Sequence, residues 1–207
     1  MEISTTFKNI IFDFGGVILN IDYRLTEQAF AKLGLRDFEK IHSQKAQEEI
    51  FNAFETGMLS PGQFREEIRK YIGSATDNQI DAAWNSMLLD LPAERIVLLD
   101  KLKKSNRIFL LSNTNQIHFR SFSAYMENKF KRNIFSDVFE KAYVSHEVHM
   151  RKPGAEIFEL VVRENKLIKE ETLFIDDSIQ NIEGAKKIGL NTVFLEQGKT
   201  ILDVFDF

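Results

Sequence analysis

Lys8-Asn9-Ile10-Ile11-Phe12-Asp13-Phe14-Gly15-Gly16-Val17-Ile18-Leu19-Asn20 is the stretch from which the fold can be read. Ile10-Ile11-Phe12 is an unbroken apolar run, the pattern of a strand buried on both faces. One carboxylate, Asp13, stands where the run ends, and two glycines, Gly15 and Gly16, follow closely. Open α/β sheets bind ligands at the carboxyl ends of their strands, and glycine lets backbone bend there. The stretch therefore predicts a sheet with Asp13 at its working edge.

Tyr23 to Leu91 carries no strand signal. Leu25, Ala29, Phe30 and Leu33 recur at helical spacing and Gly34 ends the run. Ile41, Ile50, Phe51 and Phe54 mark a helix over 38–54. Ser60-Pro61 offers an N-cap with proline at the first helical position, ahead of Phe64, Ile68 and Tyr71. Thr76 or Asp77 caps a further helix through Ile80, Ala83 and Trp84. The segment reads as an all-helical insertion with Trp84 and most phenylalanines as its core. From Leu91-Pro92 onward, strands at 107–111, 141–145, 172–175 and 191–195 alternate with helices. That alternation implies a parallel sheet with right-handed crossovers. The expected organisation is a core of residues 1–20 and 92–207 and an insertion of residues 21–91.

Composition narrows the partners. The 207 residues include 19 Phe and only 3 Pro, as in a packed globule. A net charge of −4 offers no basic surface for nucleic acid. The absence of cysteine excludes disulfides, thiolate metal sites and a Cys nucleophile. No apolar run is long enough for a membrane span, and Met1 to Thr6 lacks signal-peptide character, so a soluble cytoplasmic protein is expected.

Three polar clusters fall at strand ends: Asp13, Ser112-Asn113 and Asp176-Asp177. Parallel strands bring such ends to one edge, so residues far apart in sequence meet in one crevice. Arg151-Lys152-Pro153 precedes a helix after the third strand and adds a cation. Clustered carboxylates suit Mg²⁺, a hard cation that takes oxygen ligands. The chemistry indicated is phosphoryl transfer, with Asp13 as nucleophile and Lys152 neutralising charge on the transferring oxygens. Ser112 and the backbone N–H groups of the next helix would hold another phosphate oxygen.

Asp13-Phe14-Gly15-Gly16-Val17, Leu111-Ser112-Asn113, Arg151-Lys152-Pro153 and Ile175-Asp176-Asp177-Ser178 together resemble the four ordered motifs of the haloacid dehalogenase superfamily. The resemblance spans the chain. It implies a Rossmann-like α/β core of sheet order 3-2-1-4-5 and a helical cap inserted between the first two motifs. It also implies a nucleophile at Asp13, substrate binding by Ser112, Asn113 and Lys152, and Mg²⁺ held by Asp13, the Gly15 carbonyl, Asp177 and Asp176. One position departs from the phosphatase pattern: Gly15 stands where most family phosphatases carry a second Asp as general acid and base. Such help is typically worth ~10²–10⁴-fold. The variant resembles a bacterial branch that includes alpha-D-glucose-1-phosphate phosphatases, whose leaving group has less need of an acid; Asp22 or an ordered water is the alternative proton source.

The expected function is hydrolysis of a small phosphorylated metabolite, such as a sugar phosphate. Two rivals stay open on the sequence: a 2-haloacid dehalogenase, and a non-catalytic phospho-ligand-binding protein. Each residue also has a plainer reading. Asp13 alone would cap a turn, Ser112-Asn113 a helix, and Lys152 would be a solvated charge. Asp22 reads more simply as a helix cap. Asn181 either orients the acidic pair or caps its helix. His146 and His149, spaced i, i+3 with no third ligand, read as loop residues.

Overall fold

The computed structural model describes residues 6–35 and 45–205. Its centre is a five-stranded sheet of order β3-β2-β1-β4-β5 with every pairing parallel. The strands are β1 (Asn9–Phe12), β2 (Arg107–Ser112), β3 (Lys141–Val144), β4 (Thr172–Asp176) and β5 (Asn191–Phe194). β1 lies in the middle because its three apolar residues are fully buried, and only a strand covered on both faces can carry such a run. Alternate residues serve alternate faces. Ile10, Phe12, Ile108, Leu110 and Ile175 pack in one hydrophobic layer, Ile11, Phe109, Leu111 and Phe174 in the other.

Between β1 and β2 lies an inserted helical region: α1 (Tyr23–Lys32), α2 (Lys45–Glu55), α3 (Pro61–Ile72) and α4 (Asp77–Asn85). α5 (Ala93–Leu102) then leads into β2. Residues 38–44 of the helix expected over 38–54 lie outside the described residues; the remainder forms α2. Ser60 and Thr76, not Asp77, cap α3 and α4, each in a capping box with a Gln three residues on. Such caps contribute about 1 kcal/mol apiece. Phe30, Phe51, Phe54, Phe64, Ile80 and Trp84 form the region's own core. The Phe54 and Phe64 rings stack at 4.1 Å.

The remaining helices are α6 (Gln116–Phe130), α7 (Ile134–Val138), α8 (Ser145–Val148), α9 (Ala155–Asn165) and α10 (Ile179–Lys187). The short α7 and α8 escape the periodicity reading because five and four residues carry too few apolar repeats to register. No described helix is long and apolar enough to cross a membrane.

The start of α6 joins the inserted region to the sheet. Asn115 caps α6, and its Oδ1 accepts from His118 N–H at 3.0 Å and from Trp84 Nε1 at 3.3 Å. His118 stacks on Trp84 with 4.8 Å between ring centroids, and its Nε2 lies 3.0 Å from the Trp84 carbonyl. Nε2 must carry the proton to donate there, which leaves Nδ1 to accept from Asn115 Nδ2 at 3.1 Å. Burial lowers the His118 imidazolium from 6.5 to about 4. The unfolded chain therefore binds this proton more readily than the folded one, and stability present above pH 6.5 is lost as pH falls towards 4. The loss is expected to be on the order of 3 kcal/mol. Urea unfolding of the wild type and His118→Gln at pH 7.5 and 4.5 checks this. The wild type should lose more stability than the variant, and parallel losses would refute the assignment.

Candidate active site

Strand register brings the polar clusters to one edge. Phe12 pairs with Leu110 on one side and Ile175 on the other, so Asp13 and Asp176, each one residue further, stand level. The Asp13 N–H donates to the Ile175 carbonyl at 2.9 Å and holds that level. Ser112 ends β2 one step beyond.

Lys152 is the hub. It is 1% exposed, and its Nζ donates to Asp13 Oδ1 at 2.6 Å and to Asp176 Oδ2 at 2.7 Å. Asn113 fixes the lysine's backbone from both sides: its Oδ1 accepts from Lys152 N–H and its Nδ2 donates to the Lys152 carbonyl, both at 2.9 Å. Asn113 lines the cavity, but both ends of its amide serve Lys152. Ser145, which the sequence reading passed over, does similar work one strand away. Its Oγ accepts from Thr114 N–H and donates to the Thr114 carbonyl, each at 2.8 Å, holding the turn after β2. Its signal was a polar residue directly after β3, as Asp13 directly follows β1. The Ser112 hydroxyl has no side-chain hydrogen bond to another described residue and is uncommitted.

The acidic pair divides its labour. Asp176 is fully buried and saturated: it accepts from Lys152, from Ser178 N–H at 2.8 Å and from Asn181 Nδ2 at 3.0 Å to both oxygens. Asn181 thus orients Asp176. Asp177 is more open and faces the cavity. Gly16 is required beside it: φ is +79°, and a Cβ there would overlap the Asp177 carboxylate.

Oxygens of Asp13, Asp176 and Asp177 lie within 4.8 Å of one another. Three carboxylates against one lysine leave an excess of negative charge in a buried crevice. Burial first, then the neighbouring carboxylates, push Asp13 up to about 7 against the pull of Lys152. Burial and Asp176 raise Asp177 to about 6. Burial alone would lower the Lys152 ammonium, but Asp13 and Asp176 outweigh it and hold it above its usual value. Asp13 and Lys152 both rise because burial, helped by two further carboxylates, outweighs the pull of Lys152 on Asp13, whereas the two carboxylates outweigh burial at Lys152. An all-oxygen donor set carrying surplus negative charge fits a divalent hard cation.

The cavity holds about 230 Å³ and is lined by Asp13, Asn113, Lys152 and Asp177 from the sheet edge, with Tyr23 and Glu55 from the inserted helices. That is small, and its lining is polar. Tyr23 and Glu55 carried no sequence signal; only the docking of the inserted region reveals them. Asp22 does not line the cavity. It caps α1, and the Arg24 guanidinium holds its carboxyl below the usual range at 2.9 and 2.8 Å, so it is a poor proton donor. His149 Nδ1 meets the Thr56 carbonyl at 2.8 Å, so this residue contacts the inserted region. Neither His146 nor His149 belongs to the acidic cluster.

A model of the haloacid dehalogenase-like hydrolase family matches residues 10–195. A D-ribitol-5-phosphate phosphatase from Bacteroides thetaiotaomicron is 35% identical over 192 residues, 92% of this chain and 93% of that protein. The crystal structure of a HAD family enzyme from Bacteroides thetaiotaomicron, in complex with magnesium and inorganic phosphate, is similar with a TM-score of 0.89. It is 37% identical and covers 97% of this chain and 100% of its own. A HAD-like family hydrolase structure from Porphyromonas gingivalis has a TM-score of 0.83 at 32% identity, covering 94% of this chain and 93% of its own.

Proposed function

Because the chain belongs to the haloacid dehalogenase-like hydrolase family, we propose that it is a Mg²⁺-dependent phosphatase of a small sugar-alcohol or sugar phosphate, with ribitol 5-phosphate as the leading candidate. The observation that carries this is Asp13 at the end of β1, paired with buried Lys152 and within reach of two further carboxylates. In this reading residues 1–20 and 92–207 are the catalytic core and 21–91 the cap.

Asp13 attacks phosphorus in line as the bond from phosphorus to the substrate's alkyl oxygen breaks. The alkoxide leaves and takes a proton, and the phosphoryl group stays on Asp13 as an acyl phosphate. Water then attacks that phosphorus, releasing phosphate and restoring the carboxylate. Lys152 stabilises the transferring oxygens, with Asn113 fixing its position, and the Ser112 hydroxyl holds one of those oxygens. Asp13, the Gly15 carbonyl and Asp177 would hold Mg²⁺, with Asp176, whose oxygens are already taken, assisting through water; the ion's charge when bound offsets repulsion between the carboxylate and a phosphate dianion. Gly15 supplies no proton and Asp22 is committed to Arg24. The leaving oxygen therefore draws its proton from solvent in the cavity.

The relative's activity and the polar lining favour a polyol phosphate. Glucose 1-phosphate, the substrate of the branch that the Gly15 motif resembles, is the competing candidate. Dehalogenation at carbon needs no cation, so a three-carboxylate cluster stands against it. The test is phosphate release from ribitol 5-phosphate, other polyol and sugar 5-phosphates, and glucose 1-phosphate, with Mg²⁺ and with EDTA. The highest kcat/KM is expected on a sugar-alcohol phosphate, with activity lost in EDTA. Release from no member would overturn the reading.

A further inference from the structure

We propose that Glu55 and Arg151 form a charge-balanced filter at the mouth of the cavity, which accepts a neutral hydroxylated substrate tail and rejects one ending in an anion. The proposal rests on the phosphatase reading above and adds to it which tails the site admits.

Arg151 immediately precedes the buried Lys152, whereas Glu55 is the last residue of α2 in the inserted region. Arg151 Nη2 meets Glu55 Oε2 at 3.0 Å, and Nη1 also donates to Asn52 Oδ1. Glu55 and Arg151 line the same cavity as Asp13 and Asp177. A substrate whose phosphate reaches Asp13 therefore extends its other end towards this pair.

The cavity's charges decide what that end can be. Among the described residues its lining contains two cations, Lys152 and Arg151, and each already faces carboxylate: Asp13 and Asp176 for the first, Glu55 for the second. A carboxylate or second phosphate on the tail would find neither of them unmatched and would have to displace Glu55 from Arg151. A hydroxyl has no such conflict. It can donate to a Glu55 oxygen and leaves the pairing of Glu55 with Arg151 in place. Tyr23 lines the same mouth. Burial and the carboxylates of Asp13, Asp177 and Glu55 hold its phenol above the usual range, so it stays a protonated donor to a tail oxygen. Discrimination of this kind works by placing a repulsive charge against the wrong ligand, as well as partners for the right one.

Ribitol 5-phosphate and ribonate 5-phosphate differ only in a terminal CH₂OH against a carboxylate, so the ratio of their kcat/KM values reads the filter directly. The wild type should favour ribitol 5-phosphate by roughly 10²-fold or more, because the acid leaves charges unpaired in the site. Glu55→Gln leaves Arg151 unmatched, and the ratio should fall by roughly tenfold or more, chiefly through a lower KM for the acid. Arg151→Gln removes the cation that faces Glu55 in the cavity lining and should move the ratio the other way. It carries the test by itself if the first variant does not fold. A wild type that hydrolyses both compounds alike, or variants that change both by the same factor, would overturn the filter and leave the phosphatase reading standing. Release from neither compound would also overturn the filter, and the wider substrate panel then decides whether the phosphatase reading falls with it.

Discussion

Asp13→Asn is expected to lower phosphate release on the order of 10⁴-fold or more, since removing a nucleophile removes the reaction path and not one contact. The change is nearly isosteric. It also relieves a buried cluster of like charges, because Lys152 keeps its 2.7 Å contact with Asp176. The variant should therefore fold at least as stably as the wild type without metal. A second readout separates the two effects. Mg²⁺ should raise the wild type's Tm by mass action, and the variant, with one carboxylate fewer in the donor set, should respond less. Activity within tenfold of wild type in a folded Asp13→Asn protein would dismiss the nucleophile assignment.

Lys152→Met is expected to damage both stability and catalysis. The lysine is 1% exposed and holds two carboxylates whose side chains are 11% and 0% exposed. Methionine fills most of the volume but leaves Asp13 and Asp176 facing each other without a cation. Removing one partner from a buried ion pair costs about 3–5 kcal/mol, largely as the penalty of the charge left behind. Loss of a donor aimed at the transferring oxygens lowers kcat by roughly 10²–10³-fold. The two losses can be separated in Mg²⁺, which should restore part of the stability by neutralising the carboxylates and little of the rate. Urea unfolding and steady-state kinetics, each with and without Mg²⁺, measure both. A variant within ~1 kcal/mol of the wild type in EDTA would mean that the ion pairs stabilise little.

These expectations depend on a charge arrangement that the sequence exposes only in outline. Asp13, Ser112 and the acidic pair were legible because each follows a buried apolar strand, and parallel strands must place such residues on one edge. Lys152 was legible as a site residue through its motif. Its burial and its second partner, Asp176, were not, because they require the loop after β3 to fold over the crevice. Asn113 shows the limit most clearly. A residue read as a substrate contact spends both ends of its amide on the lysine's backbone, 39 positions away. Asp22 stood open as a proton source or a helix cap, and its hydrogen bonds to Arg24 decide for the cap.

What the sequence by itself determined are the features that local chemistry dictates. These are the doubly buried strands with carboxylates at their ends, the Ser60 cap of α3, and the helical character of the insertion. Each depends on the spacing of apolar residues and on hydrogen bonds within a few residues, so each can be read along the chain. What only the tertiary structure decided is how the inserted region meets the sheet. Trp84, Asn115 and His118 lock together, Thr56 meets His149, and Glu55 meets Arg151. Those partners lie tens of residues apart and carry no mutual periodicity. Their pairing follows from the register of the sheet and the direction in which the insertion packs on it, and that packing shapes the cavity around Asp13.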